Sequence, residues 1–124
     1  MGESKKILVV EDDADIRETI SELLVEEGYE VELTQNGQEA LDYLLDCSAL
    51  PHLILLDLMM PIMDGIEFCF KTSQQQKIAH IPVVIMSADG HLHEKIQKIG
   101  ACDALKKPLD IHSVIEVIQR YILT

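Results

Sequence analysis

Asp57 closes an unbroken apolar run, Leu53-Ile54-Leu55-Leu56, and a loop marked by Pro61, Asp64 and Gly65 follows at once. Three other apolar runs end on groups that complement it. Ile7 to Val10 runs into Glu11-Asp12-Asp13, Val83 to Met86 into Ser87, and Ala104-Leu105-Lys106 into Lys107-Pro108. If these runs are parallel strands, their carboxyl ends share one edge, which is where open α/β sheets bind ligands. Three carboxylates brought together there repel. One pair at ~4 Å and an effective dielectric of ~20 costs ~4 kcal/mol. Either a proton or a cation must relieve that repulsion. Mg²⁺ suits such a site, because it takes carboxylate oxygens, keeps several waters and bridges to phosphate. Glu11, Asp12 and Asp57 carry three negative charges, and a divalent ion with Lys107 carries three positive ones. A site so balanced accepts an incoming phosphoryl group. An ionised carboxylate can attack its phosphorus to form an acyl phosphate. Metal and lysine would offset charge on the equatorial oxygens, and the Ser87 hydroxyl could donate to one of them.

Each residue alone has a plainer reading. Asp favours turns, and Glu11 and Asp12 suit the start of a helix. Asp13 reads as a helix cap, Ser87 as a strand-end hydroxyl and Lys107 as a solvated lysine. The pair His91-x-His93 lacks a third ligand and reads as a solvated loop or helix start. The convergence of four strand ends favours the joint reading.

The elements that must position these groups alternate along the chain. Lys6–Val10 reads as a β-branched first strand. Ile16, Ile20, Leu23 and Leu24 then fall on one helical face, with Asp13 or Asp12 as cap and Gly28 as stop. Tyr29–Thr34 alternates as an edge strand would. Asn36 and Glu39 form a variant capping box for a helix through Ala40, Leu41, Leu44 and Leu45. The run before Asp57 has no alternation, as in a strand covered on both faces. Gly65 to about Gln75 reads as a helix, with Ile66, Phe68, Cys69 and Phe70 as its apolar groups. Ile81–Met86 is a fourth strand, with Pro82 near its start. A short helix spans Leu92 to Ile99, and a short fifth strand holds Ala104–Lys106. Asp110 caps a last helix with Ile111, Val114, Ile115, Ile118 and Ile122 on one face. Strand followed by helix, five times, predicts an α/β fold: a five-stranded parallel sheet with helices on both faces.

The 124 residues suffice for a single domain, 1–124, with one core. Twenty-two acidic against ten basic residues give a formal charge of −12. Direct nucleic-acid binding is excluded on that ground, since it rests on Lys and Arg at phosphates, and an anionic membrane is disfavoured likewise. No run approaches the ~20 apolar residues of a spanning helix, and no signal peptide is visible. Cys47, Cys69 and Cys102 are scattered and odd in number, as expected for reduced thiols in the cytoplasm.

Taken together these residues resemble the receiver domain of two-component response regulators. The matching pieces are Ile7–Val10 with Glu11-Asp12, Leu55-Leu56-Asp57-Leu58-Met59-Met60-Pro61 with Asp64-Gly65, Val83–Met86 with Ser87-Ala88, and Lys107-Pro108. The resemblance spans essentially the whole chain. It implies a flavodoxin-like, doubly wound sheet in the order 2-1-3-4-5. It implies Asp57 as phosphoacceptor and Glu11 and Asp12 as holders of Mg²⁺, with the backbone carbonyl of Met59 as a further ligand. Ser87 and Lys107 would contact the phosphoryl group, across a Lys107–Pro108 bond that is cis. The donor would be a phosphohistidine on a sensor histidine kinase or a histidine phosphotransfer protein. The product would be a signalling switch rather than a classical enzyme, monomeric or dimerising on phosphorylation, read by a partner or effector domain. Receivers usually carry Tyr or Phe three residues before the lysine; here that position is Ala104, so the usual ring movement has no counterpart. A phosphatase with an aspartyl nucleophile would want an acid where Met59 stands. A flavin protein would want hydroxyls and backbone donors in place of Glu11-Asp12-Asp13. A receiver-like scaffold that is never phosphorylated would have no reason to keep the whole set.

Overall fold

The computed structural model describes residues 5–58, 62–88, 101 and 103–122. Its strands are β1 (Lys6–Val10), β2 (Glu30–Thr34), β3 (Leu53–Asp57), β4 (Val83–Ser87) and β5 (Asp103–Lys106). Its helices, among the described residues, are α1 (Ala14–Glu26), α2 (Gly37–Asp46), α3 (Gly65–Ser73) and α4 (Ile111–Tyr121). The sheet is parallel throughout, in the order β2-β1-β3-β4-β5. The chain steps from β1 outward to β2 and then returns past β1 to β3. The crevice where the winding reverses therefore lies between β1 and β3, the strands that end on Glu11 and Asp57.

Period-two alternation divides the core. Ile7 and Val9, Leu53 and Leu55, and Val84 and Met86 face α1 and α4, where Ile20, Leu24, Val114, Val117 and Ile118 cover them. Leu8, Val10, Ile54 and Leu56 face the other way, onto Ala40, Leu41 and Leu44 of α2 and Phe68 and Cys69 of α3. All five residues of β3 are buried, which explains why its sequence shows no alternation.

Local signals fix the helix ends. The Asp13 carboxylate caps α1 by accepting from the N–H groups of Asp15 and Ile16. At the other end Gly28 takes φ +94°, and the N–H groups of Gly28 and Tyr29 close back onto Val25 and Leu24. A side chain strongly disfavours that backbone conformation, so glycine stops the helix there. Asn36 and Asp64 cap α2 and α3 by accepting from the N–H of Glu39 and Glu67, each three residues on.

Several expectations are corrected. The buried stripe of α2 is Gly37, Ala40, Leu41 and Leu44, and that of α3 is Gly65, Phe68, Cys69 and Thr72. Both follow i, i+3, i+4, i+7. Leu45, Ile66 and Phe70 each stand one residue off that stripe, a rotation of about 100°. They are exposed rather than core. Helix α3 ends at Ser73 and β4 begins at Val83, each two residues inside the expected bounds. Asp110 holds the N-cap position of α4 but makes no capping bond to a main-chain N–H; its Oδ2 accepts the Ser113 hydroxyl. The expected helix at Leu92–Ile99 lies outside the described residues.

Gly65 couples α3 to the end of β3. Its N–H donates to the Leu58 carbonyl at 3.0 Å. A Cβ placed on it would meet the Leu58 Cα at 2.9 Å and the Asp57 carbonyl oxygen at 3.3 Å. Both contacts are backbone and cannot swing aside. Gly65→Ala is expected to destabilise the fold by about 1–3 kcal/mol, read as a lower urea midpoint with unchanged slope. An unchanged midpoint would show that α3 is free to withdraw from β3.

A carboxylate cluster at the switch point of the sheet

The ladder brings the site residues into rows. Val10 pairs with Leu56, Leu56 with Ile85 and Ile85 with Ala104. One step further along, Asp57 pairs with Met86 and Met86 with Leu105, and Glu11 follows Val10 at the head of the same row. Neighbouring strands lie about 4.8 Å apart, so Glu11 and Asp57 emerge side by side. The Glu11 N–H still donates to the Thr34 carbonyl at 3.1 Å, and the Leu58 N–H to the Met86 carbonyl at 3.2 Å. Both carboxylates thus stand on backbone that belongs to the ladder.

Oxygens of Glu11, Asp12 and Asp57, one from each, lie within 4.8 Å of one another. Glu11 is 1 % exposed and Asp57 5 %, whereas Asp12 is open to solvent. The Lys107 ammonium stands 2.9 Å from Glu11 Oε1 and 3.4 Å from Asp57 Oδ1. The second Glu11 oxygen, Oε2, accepts from the Asp13 N–H at 3.2 Å. Ser87 is buried at the end of β4, and the Lys107 N–H donates to its carbonyl at 2.9 Å. An open cleft of about 270 Å³ is lined by Glu11, Asp12, Asp57, Ser87, Ala88 and Lys107. The Lys107–Pro108 bond is cis, as the resemblance implied.

Five of the six candidate residues, Glu11, Asp12, Asp57, Ser87 and Lys107, therefore meet in one cleft. Met59 lies outside the described residues, as do His91, His93 and Cys102. Sequence reasoning had not singled out Arg17, which enters the site from α1. Its guanidinium donates to the Glu11 carbonyl at 2.8 Å. An Arg on an amphipathic helix reads as part of a solvated face, and a main-chain target leaves no mark in the sequence.

Among the described residues Lys107 is the cation that pairs with these carboxylates, and three carboxylates outnumber it. The donor set is hard oxygen, close-set and partly open to water, which fits Mg²⁺ better than a thiolate- or imidazole-seeking ion. Burial works to lower the Lys107 pKa, but the hydrogen bond to Glu11 and the charges of Asp57 and Glu11 outweigh it and hold it above the ordinary lysine value. A raised lysine pKa stabilises the fold fully below the unfolded value, near ~10.4, and is lost as pH rises through the folded one.

The chain belongs to the response regulator receiver domain family, whose model matches residues 7–119. It is 37 % identical over 112 residues to the response regulator MprA of Mycolicibacterium vanbaalenii, covering 89 % of this chain and 47 % of that protein. This chain thus spans about half the length of such curated relatives. Among solved structures it superposes on the chemotaxis response regulator CheY4 of Vibrio cholerae with a TM-score of 0.88 at 29 % identity, covering 97 % of this chain and all of that one. The receiver domain of the sensor histidine kinase PA1611 from Pseudomonas aeruginosa, solved with a magnesium ion in its active-site cleft, gives a TM-score of 0.88 at 25 % identity, over 98 % of this chain and all of that one.

Lys107→Met leaves Glu11 buried beside Asp57 with no ammonium. In divalent-free buffer at pH 7 it is expected to cost about 2 kcal/mol, less than a fully buried pair because Lys107 is partly solvated. The difference from wild type should hold from pH 6 to 9 and shrink only above pH ~10. Chemical denaturation across that range checks it. A difference that disappears below pH 9 would contradict the ion-pair assignment.

Proposed function

We propose that this chain is a phosphoaccepting switch in which Asp57 takes a phosphoryl group from a phosphohistidine on a sensor kinase or phosphotransfer protein. Glu11, Asp12 and Asp57, with the Met59 carbonyl, are the residues that hold Mg²⁺. The observation carrying the reading is the joint placement of three carboxylate oxygens within 4.8 Å and the Lys107 ammonium against two of them. An apolar cavity of about 300 Å³ beside Lys107, lined by Ile16, Ile20, Leu109 and Ile111, supports a protein donor over a small one.

In this mechanism a carboxylate oxygen of Asp57 attacks phosphorus in line with the leaving imidazole. The P–N bond breaks, its electron pair leaves with the ring nitrogen, and an acyl phosphate remains on Asp57. Bound Mg²⁺ supplies charge to offset the phosphoryl oxygens. The three donors of Lys107 serve Glu11, Asp57 and an incoming oxygen. The Ser87 hydroxyl donates to another. Buried Glu11 keeps the ammonium in place while Asp57 changes charge. Water later attacks the acyl phosphate and returns the carboxylate and inorganic phosphate. Among the described residues no helix is long and apolar enough to cross a membrane, and we place the exchange in the cytoplasm, where kinase phosphohistidines are made.

Incubation with acetyl phosphate and Mg²⁺, followed by intact-mass analysis, tests the reading. Wild type should gain one phosphoryl group and Asp57→Asn none, while Asp12→Asn should label roughly tenfold more slowly. A gain that survives Asp57→Asn removes Asp57 from its role.

A further inference from the structure

The three carboxylates of the cleft are not held alike. Glu11 is fixed at both oxygens, by Lys107 and by the Asp13 N–H. Asp57 is held by Lys107 and by the β3–β4 ladder. Asp12 is exposed, and among the described residues no donor grips its carboxylate. It lies within 4.8 Å of the other two. The backbone on either side of it is contacted by Arg17. One guanidinium nitrogen donates to the Glu11 carbonyl at 2.8 Å and reaches the Asp12 carbonyl at 3.5 Å.

The Glu11 carbonyl belongs to the peptide plane that leads into Asp12. Holding that plane and the Asp12 carbonyl together restricts rotation about the Asp12 N–Cα bond, and with it the direction in which the side chain leaves the loop. Asp13 secures the other flank, with its N–H on Glu11 and its carboxylate on the first turn of α1. Arg17 itself is seated in that turn, its own N–H donating to the Asp13 carbonyl at 2.9 Å. The loop between β1 and α1 is thus closed from the helix side. A planar guanidinium offers several donors in a fixed fork, which a lysine ammonium on a flexible stem does not.

We infer that Arg17 is a positioning residue for the metal site: it aims the Asp12 carboxylate at the cation by pinning the main chain of Glu11 and Asp12. The inference rests on the reading that Glu11, Asp12 and Asp57 hold Mg²⁺. It opposes what charge alone would give. Arg17 carries a positive charge near a cation site, so a purely Coulombic role makes its removal tighten Mg²⁺ binding. A positioning role makes its removal weaken it.

Calorimetric titration of MgCl₂ into wild type, Arg17→Met and Arg17→Lys distinguishes the two, with far-UV circular dichroism confirming that each variant is folded. The expected result is a dissociation constant about tenfold larger for Arg17→Met, only partly restored by Arg17→Lys although its charge is retained. The amide resonances of Asp12 and Asp13 should shift in both variants, while those of β5 stay. A merely structural role lowers the melting temperature and leaves the affinity of the folded protein unchanged, which would overturn the inference. So would tighter binding in Arg17→Met. Wild type that binds no Mg²⁺ would defeat the underlying metal assignment, whereas wild-type binding matched by both variants defeats the role of Arg17 alone.

Discussion

Crowding of like charge is the constraint on which the rest of this structure depends. Glu11 and Asp57 are set side by side by adjacent strands, and Asp12 is brought to them by the following loop. Nothing in the hydrophobic core requires acids there. Burial penalises each charge, and proximity penalises each pair. Lys107 offsets part of this, reaching both buried carboxylates from the segment that follows β5. In the reading proposed above, a divalent cation would offset the remaining negative charge and leave the site able to take a phosphoryl group.

The fold is arranged to withstand that crowding. Both buried carboxylates sit at the end of ladder-bonded strands whose other residues form the two faces of the core. Retreat of either acid would therefore disturb backbone hydrogen bonds and core packing together. The third acid is placed more loosely, on a loop closed by Asp13 and Arg17. Gly65 keeps the start of α3 tight against Leu58, the residue after Asp57.

Much of this was legible in the sequence because it is written in local patterns. Apolar runs ending in polar residues marked the strand ends, and parallel topology then forced those ends together. Asp13, Asn36 and Gly28 announced helix boundaries by chemistry that needs no tertiary context. What failed to show depended on direction or on main-chain partners. Ile66, Phe68, Cys69 and Phe70 read alike as the apolar groups of α3, but its apolar content is wider than its buried stripe, and Ile66 and Phe70 are exposed. Asp110 looked like a cap, but the nearby Ser113 hydroxyl takes its carboxylate. Arg17 was not singled out because its target is a pair of carbonyls, which leave no mark in the sequence.

The most direct test of the central claim is the melting temperature of the unmodified chain as MgCl₂ is raised against KCl at matched ionic strength. If three crowded carboxylates await a divalent ion, the midpoint climbs with the logarithm of the MgCl₂ concentration once that exceeds the dissociation constant, with about 2.7 kcal/mol gained at a hundredfold excess over it. A midpoint that follows ionic strength alone, with no difference between the two salts, would contradict the account.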